Sequence, residues 1–241
     1  MAKLKVPSLQ HVARNWNSIP GKTSKLLVSL ANNPPVFSYR PLFGACTDLL
    51  VLRTPYPQVE ESLRRQKNIV TREKCLEVLP LINKYFGEVA PSFVQSLDSR
   101  YYPIGKNLMV PFDPHMIFGT GDKLVFPWFS FWRRDPLAGK RLQLFVSIVR
   151  DILVQQYPDL DGAKFLILDF SAPASKEPRI LKVVETESIP QLSQPELYDM
   201  LALYAEEFFL AQKILAHQPP KQRSATSDEI IDLNQGELFD S

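Results

Sequence analysis

Residues 108–132 read LMVPFDPHMIFGTGDKLVFPWFSFW, two apolar runs on either side of Gly119-Thr120-Gly121-Asp122. Turn residues between apolar runs predict a β-hairpin from Leu108 to Trp132. The pattern then changes period. Leu142, Phe145, Val146, Val149, Ile152 and Leu153 fall on one face of a helix expected from Pro136 to about Val154. Lys164–Phe170 (KFLILDF) is nearly all apolar, as in a strand buried on both faces, and Arg179–Glu187 alternates, as in a strand with one wet face. Ser193 and Glu196 have capping-box spacing before a final helix to about Ala216, with Leu197, Leu201, Tyr204, Phe208 and Leu215 inward.

Upstream the pattern is helical and broken. Short helices are expected at 8–17, with Ser8 as cap, and at 22–31, ended by Asn32-Asn33-Pro34-Pro35. Two more are expected within 56–86, the first opened by Pro57 and the second capped by Thr71 and kinked at Pro80. The predicted class is α/β (α+β). A helical region or cap at 1–100 precedes a β-β-α-β-β-α core at 101–216, whose helices pack on a mixed sheet. From 217 to 241 Pro, Gln, Ser, Thr and Asp predict a flexible, disordered acidic tail.

Composition narrows the functional classes. The chain has 241 residues, 45% hydrophobic, and a net charge of +2, so it is not a strongly basic nucleic-acid binder overall. The acids of the tail leave the body mildly basic, which is compatible with DNA contact. Two cysteines, Cys46 and Cys75, without a C-x-x-C pair argue against a disulfide framework or a cysteine zinc site. No signal-peptide pattern and no membrane-length apolar run is present, so a cytoplasmic protein is expected.

The common catalytic signatures are absent. His11, His115 and His217 have no zinc-hydrolase spacing, and there is no G-x-S-x-G elbow. Gly21-Lys22-Thr23 matches the end of a P-loop, but Trp16 stands where the first glycine belongs. Asp113, next to a second strand, has two readings. It is a turn-stabilising residue beside Pro114, or a ligand for Mg²⁺, which takes one or two carboxylates plus waters and phosphate oxygens. Asp169, at the end of an otherwise apolar strand, is a second catalytic candidate, with Glu185 and Glu187 as further acids. Trp128, Phe129, Phe131 and Trp132, followed by Arg133 and Arg134, read as core, as a base-stacking surface or as a partner-facing edge. Arg179 and Lys182 would extend a basic nucleic-acid face.

At Pro111-Phe112-Asp113, and at Gln143 in the following helix, the chain resembles the PD-(D/E)XK nucleases, most nearly their RecB-like branch. The resemblance covers about residues 105–215 and implies a magnesium-dependent nuclease core with Asp113 as first ligand. The chain departs from the family at two motifs. Phe129-Ser130-Phe131-Trp132 carries neither the acid nor the lysine of D/E-x-K, and Ser147 replaces the tyrosine of Q-x-x-x-Y. The expected function is therefore a non-catalytic, degenerate nuclease-fold accessory protein of nucleic-acid metabolism. The alternatives are an active Mg²⁺-dependent nuclease with displaced ligands, and an interaction or structural subunit without a nucleic-acid role. Gln235-Gly236-Glu237-Leu238-Phe239 resembles the Q-x-x-L-F peptide that docks bacterial replication and repair proteins on the sliding clamp. That resemblance implies Gln235, Leu238 and Phe239 as partner-binding residues.

Overall fold

The computed structural model describes residues 4–134, 136–160 and 162–218. Five helices come first: α1 (Leu9–Asn15), α2 (Lys22–Asn32), α3 (Arg40–Leu50), α4 (Tyr56–Arg64) and α5 (Ile69–Val89). Five short strands follow: β1 (Phe93–Ser96), β2 (Arg100–Pro103), β3 (Met109–Phe112), β4 (Met116–Thr120) and β5 (Lys123–Ser130). Then come α6 (Gly139–Gln156), β6 (Lys164–Asp169), β7 (Lys182–Glu185) and α7 (Gln194–Ala216). The class is α/β, as expected, and the segment β4-β5-α6-β6-β7-α7 has the expected order of elements.

The main sheet has the strand order β1-β4-β5-β6-β7. Only β5 and β6 are parallel; every other neighbouring pair is antiparallel. A parallel pair needs a long crossover connection, and α6 supplies it. Helices cover both faces of the sheet, and alternation along the strands sorts their side chains. Phe126 and Trp128 of β5, with Phe165 and Ile167 of β6, join α1, α2, α6 and α7 in one core. Val125, Phe129 and Phe131, with Leu166 and Leu168, join α3, α4 and α5 in the other. All five aromatic residues of 126–132 are buried. The core reading of that run holds, and the base-stacking reading is corrected: these rings have no free face.

The predicted hairpin is shorter than the sequence pattern suggests. Its strands are β4 and β5, joined at Gly121-Asp122, where Gly121 supplies the positive φ of 58° that a tight turn needs. Residues 109–112 pair instead with β2, in a separate two-stranded sheet. Pro114 and the buried inner residues Val110 and Phe112 turn that segment onto the α6 side. Pro127 sits inside a central strand, where proline is rare. It is tolerated because the β4–β5 register ends at Val125, so the missing N–H leaves no acceptor on β4 short of a donor.

Local signals set several boundaries. Ser193 and Glu196 form the predicted capping box of α7. For α5 the cap is Asn68, whose side chain accepts from Thr71 N at 3.0 Å, and not Thr71 itself. The N-terminus of α2, where the P-loop fragment lies, already holds an anion. Glu207 of α7 accepts from Gly21 N at 2.8 Å and Ser24 N at 2.9 Å, so a carboxylate takes the place a phosphate would use. No described helix is long and apolar enough to cross a membrane.

Gly119 on β4 lies directly beneath the Phe93 ring of β1 and beside Ser92 Oγ, closer than any Cβ could approach. Gly119→Ala is therefore expected to destabilise the chain by about 1–3 kcal/mol by forcing β1 outward. Urea denaturation checks this, and Phe93→Ala in the same chain should restore part of the loss.

Candidate functional site

The carboxyl ends of β5 and β6 are where the sequence places its acids and its arginines. Ser130 and Asp169 are register partners, and Asp169 pairs in turn with Lys182. Alternation puts Asp169, Ser130 and Trp132 on the face that carries Trp128 and Ile167, the face that α1 covers. Asp169 is 5% exposed. It accepts from Ser171 N at 3.2 Å and from Ser171 Oγ at 2.8 Å, a local turn that closes β6. Burial raises its carboxyl above the ordinary range, and Ser171, the Lys182 charge and nearby Ser130 offset part of that rise. Ser130 Oγ stays near the carboxylate without making a hydrogen bond.

Above this strand end sits α1. His11 meets the Trp132 ring edge-on, 5.7 Å between centroids, and the Arg14 guanidinium lies 4.5 Å from the centroid of the same ring. Gln10 accepts from Trp128 Nε1 at 3.0 Å. Burial, helped by the Arg14 charge, pushes the His11 imidazole down to about 3. Buried Phe131 thus stands where the resemblance would put the D/E-x-K lysine, and next to it a buried indole has a neutral histidine against it. Neither carries a charge that could activate water or stabilise a phosphorane.

The other sequence candidates do not converge here. Asp113 is half-buried in the linker between β3 and β4, where its charge acts on Tyr157 at the end of α6. Glu185 lies opposite Leu166, three residues along the strand from Asp169, and pairs with Lys164 at 2.6 Å. Among the described residues, no group of three or more His, Cys, Asp or Glu side chains could hold a metal ion. The residues present therefore do not fit the magnesium that the resemblance implies for Asp113. Gln235, Leu238 and Phe239 lie outside the described residues.

The four basic residues do not form one exposed face. Arg179 is buried, its side chain 1% exposed. It donates to Phe131 O at 2.7 Å, Phe170 O at 3.1 Å, Glu77 Oε2 at 3.0 Å and the Tyr39 hydroxyl at 2.5 Å. The half-buried Arg133 holds the other oxygen of Glu77 and donates to Glu177 O at 2.7 Å. Burial alone would raise the Glu77 carboxyl, but Arg133 and Arg179 bring it below the ordinary range. Arg134 and Lys182 are exposed, and Arg134 donates to Ser175 Oγ. The expectation for Arg179 as a nucleic-acid contact is thus corrected: its charge is spent inside the fold. Glu77 and Tyr39, which complete the network, lie on α5 and at the start of α3. Only the odd placement of an acid among the apolar positions of α5 marked Glu77 in the sequence.

A groove of about 990 Å³ opens at the other end of the sheet, between α6, the β4–β5 turn and the start of β6. Its walls mix signs: Asp122, Asp151 and Glu187 against Lys123, Arg150 and Lys164. Three of these are already engaged. Asp151 accepts from Tyr102 and Gln155, Arg150 donates to Thr186 O, and Lys164 pairs with Glu185. Among the described residues its lining holds no His or Cys, and its serine, Ser147, accepts from Leu192 N at 2.9 Å. No protein-family model matches the chain, and no curated protein matches it.

Removing the Arg179 charge would leave two carbonyls and one oxygen of Glu77 without their donor. Arg179→Met is expected to cost about 3 kcal/mol or more in guanidinium denaturation. Lys182→Met, on the exposed edge, should stay within about 0.5 kcal/mol of the parent chain.

Proposed function

We propose that this chain is a non-catalytic protein of nuclease-like fold, an accessory factor in cytoplasmic nucleic-acid metabolism that engages a partner protein through its C-terminal peptide. One observation carries the non-catalytic part. The strand end that would hold an acid, a lysine and a metal in the resembled nucleases is filled by the buried Phe129, Ser130 and Phe131, with Trp132 and α1 packed next to them. The order β4-β5-α6-β6-β7-α7 supports the nuclease-like part, since strands, crossover helix and closing helix follow in the sequence the resemblance implies. Gln235, Leu238 and Phe239 support the partner. A glutamine amide and two adjacent apolar side chains near the end of the chain suit a preformed pocket such as that of a sliding clamp. The exposed Arg134 and Lys182 are the remaining basic residues for contact with DNA phosphates.

Two assays test this reading. Incubated with Mg²⁺ or Mn²⁺ and supercoiled, linear or single-stranded DNA, the chain should leave every substrate intact. Cleavage that is lost in Asp113→Asn or Asp169→Asn would favour an active nuclease instead. In pull-downs run with and without nuclease treatment, Leu238→Ala with Phe239→Ala should remove a nuclease-resistant partner. An unchanged partner list would defeat the docking role of the tail.

A further inference from the structure

The interface between α1 and the sheet holds an unusual set of atoms. Ser8 Oγ, both ring nitrogens of His11, Ser130 Oγ and Trp132 Nε1 are buried without a hydrogen-bond partner. Native interiors keep few such groups, because each costs about 1–3 kcal/mol when it leaves water unpaired. Here they gather where one short helix meets one strand end. What opposes this cost is also local. Leu9, Val12 and Ala13 are fully buried, Gln10 bonds Trp128, and Arg14 covers Trp132 and donates to Arg134 O at 3.2 Å. The helix has seven residues and no side-chain cap at Ser8, so it draws little stability from itself.

We propose that α1 is an acid-released plug, which seals the carboxyl end of β5 and β6 at neutral pH and leaves it when His11 takes up a proton. The sealed surface is that of Ser130, Trp132 and Asp169. The plug depends on the helix–sheet interface alone, whatever partner or nucleic acid the chain engages.

Among the described residues, the surroundings of His11 offer its cation no counter-charge. On its own helix the charged neighbour is Arg14, of like sign. α1 packs chiefly on α6, α2 and β3, and also on the end of β5. α2 carries Lys22 and Lys25, and β3 carries no titratable group. On α6 the cations are Lys140, Arg141 and Arg150, and the one carboxylate, Asp151, is held by Tyr102 and Gln155. At the strand end, Asp169 is held by Ser171, and Arg133 and Arg134 follow Trp132. An imidazolium in this position would therefore be buried, unpaired and next to an arginine.

The sign follows from linkage. Docked, His11 titrates at about 3; released, it returns to its ordinary value of 6.5. Docking is thus fully favoured above 6.5 and weakens as pH falls from there toward 3. Between pH 7.5 and pH 5 the docking equilibrium shifts toward release by about 30-fold. His115 is a natural control. It is also pushed down to about 3 by burial, but it lies in the linker before β4, stacked on Phe43 of α3 at 3.6 Å.

Hydrogen–deuterium exchange on the full chain at pH 7.5 and pH 5, corrected for intrinsic rates, tests the plug. Residues 4–16 should lose protection by about 30-fold at pH 5, while α6 and α7 keep theirs. His11→Phe, which retains an edge contact with Trp132, should abolish the pH effect, and His115→Phe should leave it in place. If His11→Phe does not fold, acrylamide quenching of tryptophan fluorescence in the parent chain and in His115→Phe gives the same reading through Trp132 and through Trp16 at the end of α1. Unchanged protection of 4–16 at pH 5, or a pH effect that survives in His11→Phe, would overturn the proposal. So would quenching that does not rise at pH 5.

Discussion

The parallel pairing of β5 with β6 organises everything else in this molecule. Six register pairs run from Val125 opposite Lys164 to Ser130 opposite Asp169. Two parallel strands must be joined by a crossover, so the pairing demands α6. With α6 on one face, the opposite face stays wet unless other helices cover it. Val125, Phe129 and Phe131 cannot stay in water at little cost, and α3, α4 and α5 close over them. Helices from the first 89 residues are therefore drawn onto a sheet formed by strands between residues 93 and 185. The Arg179–Glu77–Arg133 network fastens the two, binding the loop before β7 and the end of β5 to α5 and α3.

That pairing also decides the chemistry at the strand end. In an α/β sheet the carboxyl ends of parallel strands are the usual place for a ligand, because the loops leave a crevice there. Here the crevice is filled. Trp132 fills it from the sheet and His11 and Gln10 from α1, while Asp169 is turned onto Ser171 and Glu77, on the other face, is held by Arg133 and Arg179. Apolar packing and nuclease catalysis need opposite things of this spot: a dry, neutral interior, or two or three converging charges with a metal. Phe129-Ser130-Phe131-Trp132 meets the first need. The unpartnered atoms beneath α1 are what remains polar there, and they make this the least settled part of a well-packed core.

Much of this could be read from the chain. Long, strongly periodic segments such as α6 and α7 declared themselves, and the near-continuous apolar run of β6 announced a strand covered on both faces. The capping box at Ser193 fixed its helix start. What escaped were features that only tertiary structure decides. α3 went unrecognised because Pro41 and Gly44 dilute its pattern. The four-residue strands β1 and β2 are too short for alternation to register. Val110 and Phe112 look like hairpin residues in sequence, yet they serve a separate small sheet. Arg179 was legible as a cation but not as a buried one. Its partner Glu77 lies 102 residues away, and no local pattern ties them together.

The end of β5 and β6 is packed under α1, and among the described residues it assembles no set of metal ligands. Mn²⁺ titration of the full chain at neutral pH, followed by electron paramagnetic resonance, tests this most directly, because bound and free Mn²⁺ give separable signals. The expected result is no saturable binding up to millimolar Mn²⁺, with the same titration for Asp169→Asn and Asp113→Asn. A saturable site that disappears when either aspartate is replaced would contradict it.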